Sequence, residues 1–189
     1  MLERMPNYKV NMGFGLHVGW GIEGAIGSPY KIDASYLSPN VNISARLEAA
    51  TRQYGVSILI SGELQEILTE PFQDITRLID IVTVKGSAVP MKFYTVNLKL
   101  DCLENESAYF EGMSAAKKKS MRSEAKKDLK TKLNNEIITT EDLLKEDDDI
   151  MKMMSEHHSN NAEFKREYQA AFTKYIDGNW GDALLIFKK

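Results

Sequence analysis

The chain has one cysteine, Cys102, in 189 residues. That rules out a disulfide framework within the chain and fits a reducing compartment. With no resolving cysteine and no identifiable base beside it, Cys102 reads as inert. Long apolar runs are lacking too: none approaches the roughly 18–20 residues that span a bilayer, and no secretory leader opens the sequence. This segment is therefore expected in the cytoplasm, and a longer parent is left free to be membrane-attached. Charge of one sign is scarce, with 24 Lys and Arg against 27 Asp and Glu, a formal net charge of −3. A general nucleic-acid binder carries a basic footprint, so nucleic acid is not an expected partner. Histidine is rare, and His17, His157 and His158 have no cysteine or acidic partners in zinc spacing. No metal is assigned to them; His17 is expected to pack in a strand. The triplets starting at Asn42 and Asn105 match a glycosylation pattern that means little in such a chain.

Proline stops at Pro90, and the texture changes soon after it. Residues 1–99 are rich in glycine, β-branched residues and short apolar runs, and read as α/β. Residues 100–161 read as a charged helical linker. Residues 162–189 read as a helical hairpin. Strands are expected over 12–19, 22–26 and 32–37, and a short buried one over 56–60. Ser61 can cap a helix over 62–68. Two further strands, 77–84 and 92–98, can pair across a turn that holds Pro90. Beyond them, helices are expected over 115–134, over 141–156 with Thr140 as cap, from Asn160 or Asn161 to Ile176, and from Trp180 onward. The Lys117-Lys118-Lys119 run reads as a solvated helix face, in preference to an anionic-membrane contact. Met151, Met153 and Met154 read as helix packing, in preference to a partner-binding surface.

Gly19-Trp20-Gly21-Ile22-Glu23-Gly24 fits the G-x-G-x-x-G dinucleotide pattern. That pattern needs a helix directly after it, so that a pyrophosphate meets the helix N-terminus. Gly27-Ser28-Pro29 follows within a few residues and forbids one. These glycines are read as allowing a bent hairpin.

The densest signal is Ser38-Pro-Asn-Val-Asn-Ile-Ser-Ala-Arg-Leu-Glu48. Ser38 suits a helix N-cap and Pro39 the first helical position. Ile43, Leu47, Ala50 and Tyr54 recur at helical spacing as a buried stripe. Asn42 and Arg46, four apart, project together beside it. An amide and a guanidinium so placed can grip sugar oxygens and phosphate without moving a proton.

Those residues, with Gly15-Leu16-His17-Val18-Gly19, Glu23-Gly24-Ala25-Ile26-Gly27, Thr51, Tyr54-Gly55, Val82-Thr83-Val84-Lys85-Gly86 and Tyr94, resemble the class III nucleotidyl cyclases over about ninety residues. The match is nearest in wording to protist-type members. The resemblance implies a ferredoxin-like α/β domain that turns ATP or GTP into a 3′,5′-cyclic monophosphate and pyrophosphate at a dimer interface. It implies two Mg2+ or Mn2+ ions and a second cyclase domain or half as partner. It gives Asn42 and Arg46 the ribose and reacting phosphate, and Ser35 the purine edge. Serine there decides weakly between purines; its likeness to threonine leans toward ATP. A lysine that binds phosphate in many members is replaced by Ser87. Lys85 stands as a substitute phosphate contact or as a solvated strand-end lysine, evenly weighed.

The family's two metal-binding aspartates precede the matched region, and Asp33, Asp74 and Asp80 do not occupy their positions. The chain is accordingly expected to be the C-terminal half of a cyclase domain, inactive alone. The alternative is a non-catalytic interaction subunit that pairs with a metal-bearing half and binds protein partners through its helical tail. Gly178, Trp180, Ala183 and Phe187 match part of a tetratricopeptide-type repeat, with a plain helical hairpin an equal reading. Either way Trp180 and Phe187 need a surface to cover them.

Overall fold

A computed structural model describes residues 12–85, 89–99, 112–155 and 162–188. Cys102, His157, His158, Asn160, Asn161 and the Gly86-Ser87-Ala88 turn, each read above, lie outside the described residues. The chain forms two compact units that divide between Val96 and Asn97.

The first unit is built on a four-stranded sheet in the order β1 (Phe14–Leu16), β4 (Ile58–Ser61), β6 (Met91–Val96), β5 (Thr76–Val82). β1 and β4 run parallel, and the other neighbours are antiparallel. Parallel neighbours need a crossover, and α1 (Pro39–Tyr54) belongs to it. Its start follows from sequence: the Ser38 hydroxyl accepts the Asn40 N–H at 3.0 Å, and Pro39 sits in the first turn. Its end follows as well, because Gly55 takes the left-handed conformation (φ 65°) and its N–H reaches the Thr51 carbonyl. The stripe is where the periodicity put it. Leu47 is fully buried with Leu59, Met91 and Phe93, and Ile43, Ala50 and Tyr54 pack against them.

α1 lies unusually close to β1. Gly13 and Gly15 share one face of the β1 segment. A Cβ on Gly15 would fall onto the Ser44 carbonyl oxygen and the Glu48 nitrogen, and one on Gly13 onto the Thr51 hydroxyl. Gly15→Ala is therefore expected to destabilise the unit by about 1–3 kcal/mol through overpacking. Lowered amide-exchange protection in α1 and β4 would report it.

Several elements depart from the sequence reading. The strand expected over 12–19 is confined to Phe14–Leu16, because β4 pairs with only those three residues. β4 starts at Ile58, not Val56, and gains Ser61, which ends the strand and caps α2 (Gly62–Gln65). α2 stops short of Leu68; its continuation is a tight turn, Ile67 N–H to Leu64 and Leu68 N–H to Gln65. α3 (Glu70–Asp74) was not expected, although Thr69 and Pro71 stand where a helix start favours them. β5 and β6 are each trimmed by two residues at their C-terminal ends. Between Leu78 and Asp80 the register shifts, and the Asp80 carboxylate accepts the Tyr54 hydroxyl at 2.7 Å. After the decoy glycines comes a strand and no helix, as read. β2 (Ile22–Ser28) and β3 (Lys31–Leu37) form a separate antiparallel ribbon. It is exposed almost throughout, with Ile22, Ile32, Tyr36 and Leu37 open to solvent.

In the second unit, α4 (Ala115–Asn134) is capped by Ser114 and buries none of its residues. The helix expected over 141–156 is two helices, α5 (Thr140–Glu146) and α6 (Asp148–Ser155). Asp147, at φ −81° and ψ 105°, interrupts them, and its carboxylate accepts the Ile150 N–H at 2.9 Å, serving as the cap of α6. The cap of α5 is Thr139, one residue before the Thr140 expected. The Thr139 hydroxyl accepts the Asp142 N–H, and the Asp142 carboxylate accepts the Thr139 N–H at 2.6 Å.

That backbone bond, then the Thr139 hydroxyl, and Lys145 at longer range, hold the Asp142 carboxyl below its ordinary value of 3.8. A depressed carboxylate stabilises the folded form fully above its unfolded value, and the contribution is lost as pH falls through the folded one. Acidification below about 3.8 is thus expected to fray the start of α5. Asp142→Asn should abolish that pH dependence in amide exchange of the first turn.

α7 (Ala162–Ile176) and α8 (Trp180–Phe187) form a hairpin turned at Gly178 (φ 80°). Ala171, Phe172 and Ala183 are buried, and Tyr168 meets Phe164, Phe172 and Phe187 at 5.8, 6.1 and 5.6 Å between rings. Phe187 thus finds partial cover within the hairpin, while Trp180 stays 70% exposed.

Candidate active site

Asn42 and Arg46 lie one helical turn apart and exposed on α1, beside the Leu47 stripe. Within the described residues neither side chain has a hydrogen-bond or ion-pair partner. The nearby Glu48 carboxylate is taken by Arg52 at 3.1 Å. The first turn of α1 carries no acidic side chain, so the positive end of its dipole is not offset locally. An anchored helix therefore offers an amide, a guanidinium and a positive end to an anionic ligand.

Ser35 sits in β3 opposite Gly24, half-buried, and three residues before the Ser38 cap. The exposed ribbon positions it, whereas Asn42 and Arg46 stand on a helix packed against the core. Lys85 is exposed in the turn beyond β5. The C-terminal ends of β1, β4 and β5 point the same way, which puts Ser61 at, and His17 and Lys85 beyond, one end of the sheet. β1 and β5 are nonetheless its outermost strands, roughly 14 Å apart at the usual strand spacing.

Sequence reasoning missed a polar network at the root of α1. The His17 side chain is 4% exposed, with Nδ1 at 2.8 Å from the Ser61 hydroxyl and Nε2 at 3.2 Å from the Asn40 side-chain oxygen. The Trp20 carbonyl accepts from the Ser38 hydroxyl at 2.5 Å and from the Asn40 amide at 2.9 Å. Packing was the expectation for His17, and packing is found, but just past the end of β1 and with both ring nitrogens engaged. The only signal was a polar side chain closing an apolar strand, which does not identify its partners.

The Mg2+ or Mn2+ ions implied by the resemblance need oxygen donors gathered at one place. Among the described residues no group of three or more His, Cys, Asp or Glu side chains could hold a metal ion. The described part of this chain does not by itself fit the pair of ions. Among the described residues, no helix is long and apolar enough to cross a membrane.

No protein-family model matches the chain. Individual proteins do. The chain is 35% identical over 89 residues to an adenylate cyclase of Anabaena cylindrica, a match covering 47% of this chain and 18% of that protein. It is 31% identical over 89 residues to the terminal-differentiation specific adenylate cyclase of Dictyostelium discoideum, covering 4% of it. Over 58 residues it is 31% identical to adenylate cyclase 1 of Rhizobium meliloti, covering 8% of it. A solved bacterial light-regulated adenylyl cyclase aligns at 34% identity over 45% of this chain and 23% of its own, with a TM-score of 0.38. The chain thus spans less than a fifth of the length of these curated relatives, and just under half of it is similar in sequence to part of an adenylate cyclase.

Proposed function

We propose that the first unit is part of a class III adenylate cyclase domain, ferredoxin-like in plan, that works at an interface with a second cyclase domain or half. The observation that carries this reading is the Asn42–Arg46 pair, unpartnered among the described residues and held by a helix whose other face is locked into the core. The likeness to adenylate cyclases supplies the class of reaction. In that reaction the ATP 3′-hydroxyl attacks the α-phosphorus, the bond to the β-phosphate oxygen breaks, and pyrophosphate leaves. The Asn42 amide orients the ribose. The Arg46 guanidinium stabilises the negative charge that builds on the reacting phosphate. The Ser35 hydroxyl, able to donate or accept, contacts the purine edge, and Lys85 contacts the phosphates. ATP is the proposed substrate over GTP, because the relatives are all adenylate cyclases. The carboxylates that would hold Mg2+ or Mn2+ are assigned to the complementary segment.

The test is to assay the 189-residue chain with ATP or GTP and either metal, alone and mixed with a separately expressed first half of a cyclase domain. Cyclic AMP is expected from the mixture and not from the chain alone. Product from the chain alone would overturn the assignment of the metal ligands. A second reading, a non-catalytic interaction subunit with the helical hairpin α7–α8 as its partner-binding arm, is favoured by the lack of a metal-holding cluster among the described residues. A stable complex without product, indifferent to Asn42→Ala and Arg46→Ala, would favour that reading.

A further inference from the structure

We infer that His17 is a positioning residue: held as the Nε2–H tautomer between Ser61 and Asn40, it fixes the first turn of α1 and with it the stance of Asn42 and Arg46. The cyclase reading enters only in what that stance is for.

The argument is a count of protons and lone pairs. The Trp20 carbonyl is an acceptor 2.9 Å from one atom of the Asn40 side-chain amide, so that atom is the NH2 group and the amide oxygen is the atom facing His17. An amide oxygen only accepts, so the contact to His17 Nε2 is a hydrogen bond when Nε2 carries the proton. In the neutral ring Nδ1 then has a lone pair, and the Ser61 hydroxyl, 2.8 Å away, donates to it. The Ser61 oxygen in turn accepts the Leu64 N–H at the start of α2. Each of these protons then has an acceptor, and the Glu63 carboxylate, 3.9 Å from Nδ1, is beyond hydrogen-bond reach. With the proton on Nδ1, Nε2 would face the Asn40 oxygen as two acceptors, and the Ser61 hydroxyl proton would lose its acceptor. That loss is costly because Ser61 is fully buried.

The result is a buried imidazole that ties three places together: the end of β1, the β4–α2 corner at Ser61, and the second residue of α1. Asn40 lies two residues before Asn42. Its other end holds the Trp20 carbonyl, which the Ser38 cap also holds. The α1 start is therefore restrained on two sides at once. The backbone crowds this point as well, since a Cβ on Gly19 would fall onto the Asn40 amide.

The test compares the full chain with His17→Phe, His17→Gln and His17→Asn. The amide of glutamine reaches the position of Nε2 and keeps the bond to Asn40. The amide of asparagine reaches the position of Nδ1 and keeps only the bond to Ser61. Imidazole 15N shifts of the wild-type chain at neutral pH should report a single Nε2-protonated form. In His17→Phe and His17→Asn, amide exchange over Asn42–Arg46 should accelerate about 2- to 10-fold, while Thr51–Tyr54 change little. His17→Gln should restore it. An averaged or Nδ1-protonated ring overturns the inference, and so does equal behaviour of the Gln and Asn variants. Uniform acceleration along α1 also overturns it, because that would mark general packing. The Gln–Asn pair decides the question even where the Phe variant does not fold. These readouts use no nucleotide, so a failed complementation assay would sink the cyclase reading and leave this inference standing.

Discussion

Arg46→Ala is expected to lower the turnover of the complemented cyclase by about a hundred- to a thousandfold, the usual cost of removing one group aimed at developing charge. The folded state should hardly change. Arg46 is exposed, pairs with no carboxylate among the described residues, and projects beside the buried Leu47 stripe without joining it. Its removal opens no cavity and strands no buried charge. The loss should therefore appear in kcat, with an unaltered melting profile of the purified chain. Arg46→Lys keeps the charge but not the planar fork, and should recover only part of the rate. A variant with full kcat would remove Arg46 from the chemistry and, with it, the main support for the cyclase reading.

Leu47→Ala should do the reverse, costing about 2–5 kcal/mol of stability in the first unit. Leu47 is fully buried at the centre of a cluster with Leu59, Met91 and Phe93, and α1 touches the sheet through it. A loss of that size is a large share of the roughly 5–15 kcal/mol that holds an ordinary domain folded. Amide exchange in β4 and β6 is the appropriate measurement, because it reads the first unit alone. Exchange there should accelerate up to about tenfold for each 1.4 kcal/mol lost, while the α7–α8 hairpin is unaffected.

What the sequence made readable divides along a physical line. The start of α1 and its buried stripe were legible because their signals are local: a serine cap, a proline in the first turn, an apolar period of 3.6. The same locality put Asn42 and Arg46 on one exposed stretch of helix. Features that depend on a distant partner were not legible. β1 is three residues long because only Phe14–Leu16 pair with β4, and β4 lies more than forty residues away. The His17–Ser61 bond spans a similar gap. The Asp147 break and the short α3 were written locally, in an aspartate able to cap and in Thr69-Glu70-Pro71, but the acidic run and the surrounding apolar residues masked them. Ser35 and Lys85 drew their roles from the resemblance alone, and their places on a ribbon and a turn supply no second argument.

The bare backbone of Gly13 and Gly15 has a mechanical consequence. Where side chains separate a helix from a strand, rotamer changes let one slide over the other by a fraction of a turn. Here the helix rests on the strand's own main chain, and at these two positions the strand contributes no side chain to shear. β1 and α1 must then travel as one rigid piece, and any motion that brings Asn42 and Arg46 toward a ligand has to bend elsewhere. The joints left for it are the glycine-bearing segment around Trp20 and the left-handed Gly55. Stiffening either one should slow closure without touching a single ligand contact.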